Sequence, residues 1–170
     1  LKQALAVYGY KIFMDLDPDG LQSGNFQQQL ERVLDDVPVV IMHCSKEPPG
    51  EFERIANEGD WVRLEIRKTL EAKKLLIPVV ASGQLTDIWS WGFNHLPEDC
   101  KALGDLNATD LNDGQYEASV KKVHMQIEAE APNLLAESAL GGQQDKAVTD
   151  HWQQHFRSHL EHSSVIGIVV

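Results

Sequence analysis

The stretch DWVRLEI at residues 60–66 and the apolar run LLIPVV at residues 75–80 decide the fold of this chain. The side chain of Asp60 can accept a hydrogen bond from free backbone N–H groups, as residues that begin helices do. Apolar side chains then recur at helical spacing, at Val62, Ile66 and Leu70. The two stretches therefore predict an amphipathic helix that begins at Asp60 and leads into a buried strand.

Glu65 lies at the border of the buried face of this helix, in its first turns. Trp61 is four residues earlier and is therefore on the same side of the helix. A carboxylate that is partly removed from water beside an aromatic ring is in a suitable environment for catalysis. The alternative is an ordinary solvated glutamate on an amphipathic helix, and these residues taken alone favour it.

The segments before this helix alternate between strand and helix patterns. Predicted strands lie at residues 11–15, 37–42 and 75–81, and predicted helices at residues 26–34 and from residue 60 onward. This alternation predicts an α/β fold, with a parallel sheet and right-handed crossovers. In such sheets, ligands bind at the carboxyl ends of the strands. The segments after Asp15 and Met42, and the start of the helix at Asp60, lie at that edge.

The second half of the chain is less regular. A weak strand pattern covers residues 102–106, and a helical pattern follows over residues 116–127. We predict a domain at residues 1–131, a linker at residues 132–146, a helical segment at residues 147–164 and, at residues 165–170, the start of an unknown following segment. The last run, VIGIVV, has a second interpretation as a strand that fills a gap in the sheet, but we favour the first.

Charge and composition limit the classes of function. The chain is 42% hydrophobic and 24% charged, which is typical of a soluble globular protein. Its 15 basic and 26 acidic residues give a net charge of −11, which argues against nucleic acid or an anionic membrane as the main partner. We expect membrane contact only through a segment after Val170, because no apolar run has membrane-spanning length. Cys44 and Cys100 form no CxxC pair, which favours a reducing, cytoplasmic compartment.

In their order and spacing, these segments resemble a TIR domain (Toll/interleukin-1 receptor/resistance). The matching segments lie at residues 13–15, 16–26, 37–45, 60–66, 77–79 and 96–99. The likeness is greatest to the TIR domains that cleave NAD. It implies a flavodoxin-like fold, with five parallel strands and helices on both faces, followed here by a C-terminal helix. It also implies a first strand, which precedes residue 1 in the family and is missing from this sequence.

The resemblance implies that Glu65 is the catalytic residue of an NAD glycohydrolase. Cleavage of the bond between nicotinamide and ribose builds positive charge on the ribose, as glycoside hydrolysis does on its sugar. A carboxylate held near the ribose stabilises that charge. NAD is then the substrate, and we expect neither a cofactor nor a metal.

Other positions carry over from the family as candidate contacts to the substrate. Phe26 and Trp61 correspond to aromatic residues that border the nucleotide pocket, and core packing is the alternative for both. Ser45 corresponds to a small hydroxyl residue near the substrate, although a turn or capping role is the favoured alternative. Asp15 is a further candidate contact, and with Asp17 it flanks a loop that mediates assembly in the family. Either aspartate is alternatively a solvated turn residue.

His151, His155 and His159 recur four residues apart and line one face of a predicted helix. Histidines at this spacing can bind a transition metal. No set of carboxylates or cysteines accompanies them, so we favour a solvated polar face.

Two classes of function stay open. The first is a signalling or innate-immunity enzyme that cleaves NAD+ to nicotinamide and ADP-ribose, or a cyclic form, when TIR domains self-associate. The second is a non-catalytic adaptor that transmits a signal through TIR–TIR contacts. Trp61 and Glu65 favour the enzyme, because a scaffold has no chemical need for a carboxylate there. A phosphorylated receiver domain is a weaker third interpretation, since Asp15 alone does not supply the acidic cluster that it needs.

Overall fold

The computed structural model describes residues 1–14, 26–44, 51–85, 96–134 and 165–169. The elements in chain order are α1 (Lys2–Ala6), β1 (Lys11–Met14), α2 (Phe26–Asp36), β2 (Val39–Cys44), α3 (Glu51–Ala56), α4 (Trp61–Glu71), β3 (Leu75–Ala81), a 3-10 helix (Glu98–Asp105), β4 (Thr109–Leu111), a second 3-10 helix (Asp113–Gln115), α5 (Tyr116–Glu130) and β5 (Val165–Val169). None of the described helices has both the length and the apolar character that crossing a membrane requires.

The strands form one sheet in the order β1-β5-β2-β3-β4. β2 pairs with β3, and β3 with β4, in parallel, which confirms the predicted α/β fold with a parallel sheet and flanking helices. β5 pairs antiparallel with both β1 and β2. The sheet is therefore mixed, and the prediction that all five strands are parallel is wrong. The reason is that the strand between β1 and β2 comes from the far end of the sequence and enters in the opposite direction.

The side chains of β2 alternate between two cores, one on each face of the sheet. Val40, Met42 and Cys44 belong to a core with α2, α3, α4 and the first 3-10 helix, which we call the α4-side core. Val39 and Ile41 belong to a core with α1 and α5, the α5-side core. All five side chains are fully buried. This explains why the strand is apolar at successive positions, as strands covered on both faces are.

One prediction about the second half of the chain differs from the structure. Residues 102–106 were expected to form a strand, but most of them lie in the 3-10 helix Glu98–Asp105. Cys100 and Leu103 are three residues apart and both buried, which fits the three-residue turn of that helix. The run at residues 165–170 contributes β5, which pairs with β1 and β2, and its role as the start of a following segment stays a prediction. Apart from residues 132–134, the predicted linker and helical segment lie outside the described residues.

The carboxyl end of α4 is closed by a left-handed turn at Lys73, whose φ is 53°. The backbone N–H of Lys73 donates to the carbonyl of Leu70 at 3.0 Å, and that of Lys74 to the carbonyl of Thr69 at 3.1 Å. These two bonds form the Schellman arrangement, in which glycine is the usual residue at the left-handed position. Lysine carries a Cβ there, so this position is strained.

We predict that Lys73→Gly increases the free energy of unfolding by about 0.5–1 kcal/mol. The relief of left-handed strain exceeds the extra backbone entropy that glycine gives to the unfolded chain. The measurement is urea unfolding, read as a higher midpoint at an unchanged slope. Lys121→Gly is the matched control, because Lys121 is exposed in the interior of α5, where glycine costs about 1 kcal/mol. A lower midpoint for Lys73→Gly would contradict the strain.

Candidate functional site

The start of α4 is fixed by Asp60, as the sequence predicts. Asp60 is extended, with φ −81° and ψ 142°, and its Oδ1 accepts a hydrogen bond from the backbone N–H of Val62 at 2.9 Å. Arg54, in α3, holds the same carboxylate: its Nη2 is 3.1 Å from Oδ1, and its Nε donates to both oxygens at 3.2 Å. Since α4 connects two parallel strands, it begins at the carboxyl edge of the sheet, where α/β folds bind ligands.

Glu65 is in the second turn of α4 and is only 5% exposed. The sequence placed it at the border of the buried face, and the structure buries it more completely, between Val62 and Ile66 of the α4-side core. The hydroxyl of Thr69, which is also buried, donates to the backbone carbonyl of Glu65 at 2.7 Å. A carboxylate near the carboxyl edge with so little exposure is a candidate functional group, because charge acts strongly where water is excluded.

Trp61 is the first residue of α4 and lies one helical turn before Glu65. The residue is 38% exposed, so part of its surface faces solvent. Large aromatic rings that keep an exposed face are common in binding surfaces. The arrangement thus offers an accessible ring beside a carboxylate that lies deeper in the protein.

The structure leaves the other predicted site residues untested. Phe26 is the first residue of α2, but its side chain lies outside the described residues. Ser45 and Asp15 also lie outside them, directly after the last residues of β2 and β1. The three histidines at residues 151–159 are outside them too. Within the part of the chain that the structure describes, no group of three His, Cys, Asp or Glu side chains is arranged to hold a metal ion.

A second support of α4 was not foreseen from the sequence. Arg63 donates two hydrogen bonds to the carboxylate of Asp99, from Nε to Oδ2 at 3.2 Å and from Nη2 to Oδ1 at 3.1 Å. Arg67 lies 4.0 Å from the same carboxylate. The hydrogen bonds from Arg63 hold the pKa of Asp99 below its usual range. The segment at residues 96–99 was noted for its likeness to TIR domains, but nothing in its pattern indicates a partner 36 positions away.

The neighbour of this pair, Cys100, is a buried thiol of the α4-side core. Burial raises its pKa to about 11, and the charge of Asp99 acts in the same direction. The thiolate form, which is the reactive one, is therefore scarce at neutral pH. Cys100 therefore has the properties of a packing residue and not of a nucleophile.

On the opposite face of the sheet, a row of polar contacts joins Tyr10, directly before β1, to α5. The hydroxyl of Tyr10 is 2.9 Å from Nδ1 of His124, and Nε2 of His124 is 3.4 Å from Oε2 of Glu128. The ring of Tyr8 stacks on His124 with centroids 3.9 Å apart. Burial, helped by the charge of Glu128, raises the pKa of Tyr10 to about 12. These contacts suggest a structural role, because the polar groups of Tyr10, His124 and Glu128 contact one another.

We predict that Asp99→Asn lowers stability at neutral pH and that the loss disappears in acid. The pKa of Asp99 is depressed in the folded protein, so its contribution is present above about pH 4, the ordinary value for aspartate. It is lost as pH falls through the lower folded value, where the native carboxyl also becomes neutral. The measurement is the difference in unfolding free energy between native protein and variant at pH 7 and at about pH 3. A difference that stays constant with pH would contradict the charge pairing.

No protein-family model matches the chain. The NAD(+) hydrolase SARM1 of Danio rerio is 27% identical to it over 124 residues, which cover 72% of this chain and 16% of that protein. The chain thus corresponds to a small part of this relative. Together with the parallel α/β sheet and its flanking helices, this distant likeness supports a TIR-like domain in the chain.

Proposed function

We propose that this domain cleaves NAD+ to nicotinamide and ADP-ribose, with Glu65 as the catalytic carboxylate. The observation that carries the proposal is the position of Glu65: it is buried, near the carboxyl edge of the sheet, one turn from the exposed ring of Trp61. The name of the relative, an NAD(+) hydrolase, supports the same activity. Because the chain covers only 16% of that protein, the activity is a proposal for this chain.

The main requirement of the proposed reaction is a negative charge near the ribose of the substrate. The bond between C1′ of the ribose and the nicotinamide nitrogen breaks, and the nitrogen takes the bonding electrons and becomes neutral. A water oxygen then bonds to C1′ and its proton is released, which gives ADP-ribose. Positive charge develops on the ribose in between, and a carboxylate in a site with little water stabilises it strongly. Neutral nicotinamide leaves readily, so no strong acid is required.

The remaining contacts follow from the same proposal. Trp61 stacks on a ring of the substrate, and its exposed face makes this contact available. Phe26, Ser45 and Asp15 are proposed to contact the substrate at the carboxyl ends of β1 and β2. Cleavage is proposed to depend on self-association of TIR domains in the cytoplasm.

A second candidate function is a non-catalytic adaptor that signals through TIR–TIR contacts. The low exposure of Glu65 favours it, because a ribose must reach a catalytic carboxylate. A buried glutamate on the helix face that also carries Val62 and Ile66 is equally consistent with a purely structural role. The two candidates differ in whether NAD is consumed.

We predict that Glu65→Gln lowers NAD+ cleavage at least about 100-fold, the usual cost of losing a group that stabilises transition-state charge. The assay measures loss of NAD+ and release of nicotinamide at high protein concentration. Glu71→Gln is the matched control, since it makes the same change on an exposed residue of α4 and should keep the native rate. Urea unfolding of both variants shows that each is folded. A folded Glu65→Gln variant with the native rate would remove Glu65 from the mechanism.

The outcome for the native protein separates the two functions. Turnover with release of nicotinamide supports the enzyme. A folded native protein that self-associates but consumes no NAD+ would support the adaptor.

A further inference from the structure

Asp110 lies in β4, near the carboxyl edge of the sheet. β4 runs parallel to β3, and Asp110 pairs with Val80, which belongs to the α4-side core. The next residue, Leu111, belongs to the α5-side core. Because successive side chains of a strand point to opposite faces, the side chain of Asp110 is on the face of the sheet where α4 lies. A carboxylate therefore ends a row that begins with the apolar side chains of Cys44 and Val80 and crosses three strands.

One oxygen of this carboxylate is buried without a hydrogen-bond partner. Across the ranges of the chain that the structure describes, Oδ1 of Asp110 is the buried side-chain nitrogen or oxygen atom of which this is true. Two other aspartates, Asp60 and Asp99, are each paired with an arginine. The buried hydroxyl of Ser119 accepts a hydrogen bond from the backbone N–H of Asn112 at 3.2 Å. Since a buried acceptor without a partner lowers stability, Asp110 contributes less to folding than an apolar residue would.

The position of Asp110 suits a contact with a ligand. The residue as a whole is half-buried, and the last torsion of an aspartate rotates easily, so either oxygen can turn toward a donor. The carboxyl ends of parallel strands are where α/β folds bind ligands. In dinucleotide-binding α/β domains, an acidic side chain accepts a hydrogen bond from the 2′-hydroxyl of a ribose. A ribose hydroxyl is therefore a donor that fits both the place and the chemistry of Asp110.

We propose that Asp110 binds the 2′-hydroxyl of the adenosine ribose of NAD+ and thereby selects NAD+ over NADP+. The inference rests on the proposed function, in which Glu65 acts on the other ribose. α4 connects β2 to β3, and β4 is the next strand in the sheet. Neighbouring strands are about 4.8 Å apart, so a dinucleotide with one ribose at Glu65 is long enough to place its other ribose at β4. In NADP+ a phosphate replaces the hydrogen of that hydroxyl, and its negative charge is repelled by the carboxylate.

The test compares the native protein with Asp110→Asn, which keeps the size of the side chain and removes its charge. The kcat and KM values are measured for NAD+ and for NADP+, and the binding of ADP-ribose is measured by isothermal titration calorimetry. Asp113→Asn is the matched control, because it makes the same change at an exposed residue three positions further along the chain. Urea unfolding gives the stability of both variants.

We expect Asp110→Asn to raise the KM for NAD+ about tenfold or more, the usual effect of losing a hydrogen bond to a charged group. The kcat for NAD+ should change little, because the contact is made equally in the ground state and the transition state. The preference for NAD+ over NADP+ should fall by about the same factor as KM rises or more. The urea midpoint should not fall, since the change removes a buried charge that has no partner. Asp113→Asn should match the native protein in every measurement.

The outcomes separate this inference from the proposed function. Unchanged KM and selectivity in a protein that cleaves NAD+ would overturn the role of Asp110 and leave the proposed function intact. A lower urea midpoint with unchanged selectivity, or a variant that does not fold, would show a structural role and also overturn the inference. A native protein that cleaves no NAD+ would contradict the proposed function, and the binding of ADP-ribose then decides. Weaker binding by Asp110→Asn alone would support the contact, whereas equal binding, or none by the native protein, would overturn it.

Discussion

The parallel ladder between β2 and β3 is the interaction on which the other elements depend. It runs across six residue pairs, from Val39 with Leu75 to Cys44 with Val80. Helices cover both faces of β2, so its side chains contribute to both cores at once. A parallel pair needs a crossover of a dozen or more residues, and α3 and α4 supply it. The ladder therefore determines that α4 begins at the carboxyl edge, and with it the place of Glu65.

Ion pairs then orient α4 on this framework. Arg54 and Asp60 tie its start to α3, Arg63 and Asp99 tie its side to the 3-10 helix, and Lys68 lies 3.2 Å from Glu31 of α2. These side chains are partly exposed, and such pairs contribute little to stability one by one. Their effect is geometric: three neighbours limit the rotation and tilt of the helix. Glu65 and Trp61 are consequently carried by a helix that ion pairs connect to three neighbours.

What the sequence could predict was local. The apolar runs of β2 and β3, the cap at Asp60 and the buried face of α4 follow from spacing and from one residue type, and the structure agrees with each. The pairing of Arg63 with Asp99 joins positions far apart, which periodicity cannot indicate. The direction and place of β5 have the same origin, since an apolar run does not state which strands it pairs with.

For the candidate site too, the sequence predicted local features and missed those that depend on distant parts of the chain. The helical position of Glu65 was predictable, because a residue three places after the first apolar position borders the buried face. Its degree of burial was not, since it depends on how closely the 3-10 helix and β-strands approach α4. The contributions of Phe26, Ser45 and Asp15 depend on side chains outside the described residues, and these stay predictions.

The proposed enzyme needs a route to the buried Glu65, and the order of residues along α4 suggests one. In the proposed reaction, a flat ring stacked on the half-exposed Trp61 would place its attached sugar toward Glu65, one helical turn further along α4. The nicotinamide ring of NAD+ is positively charged, and cations are attracted to the face of an indole. In the proposed reaction that charge moves from the ring to the ribose as the bond breaks. The aromatic ring therefore suits the substrate and the carboxylate suits the transition state, which is the difference in binding that catalysis requires.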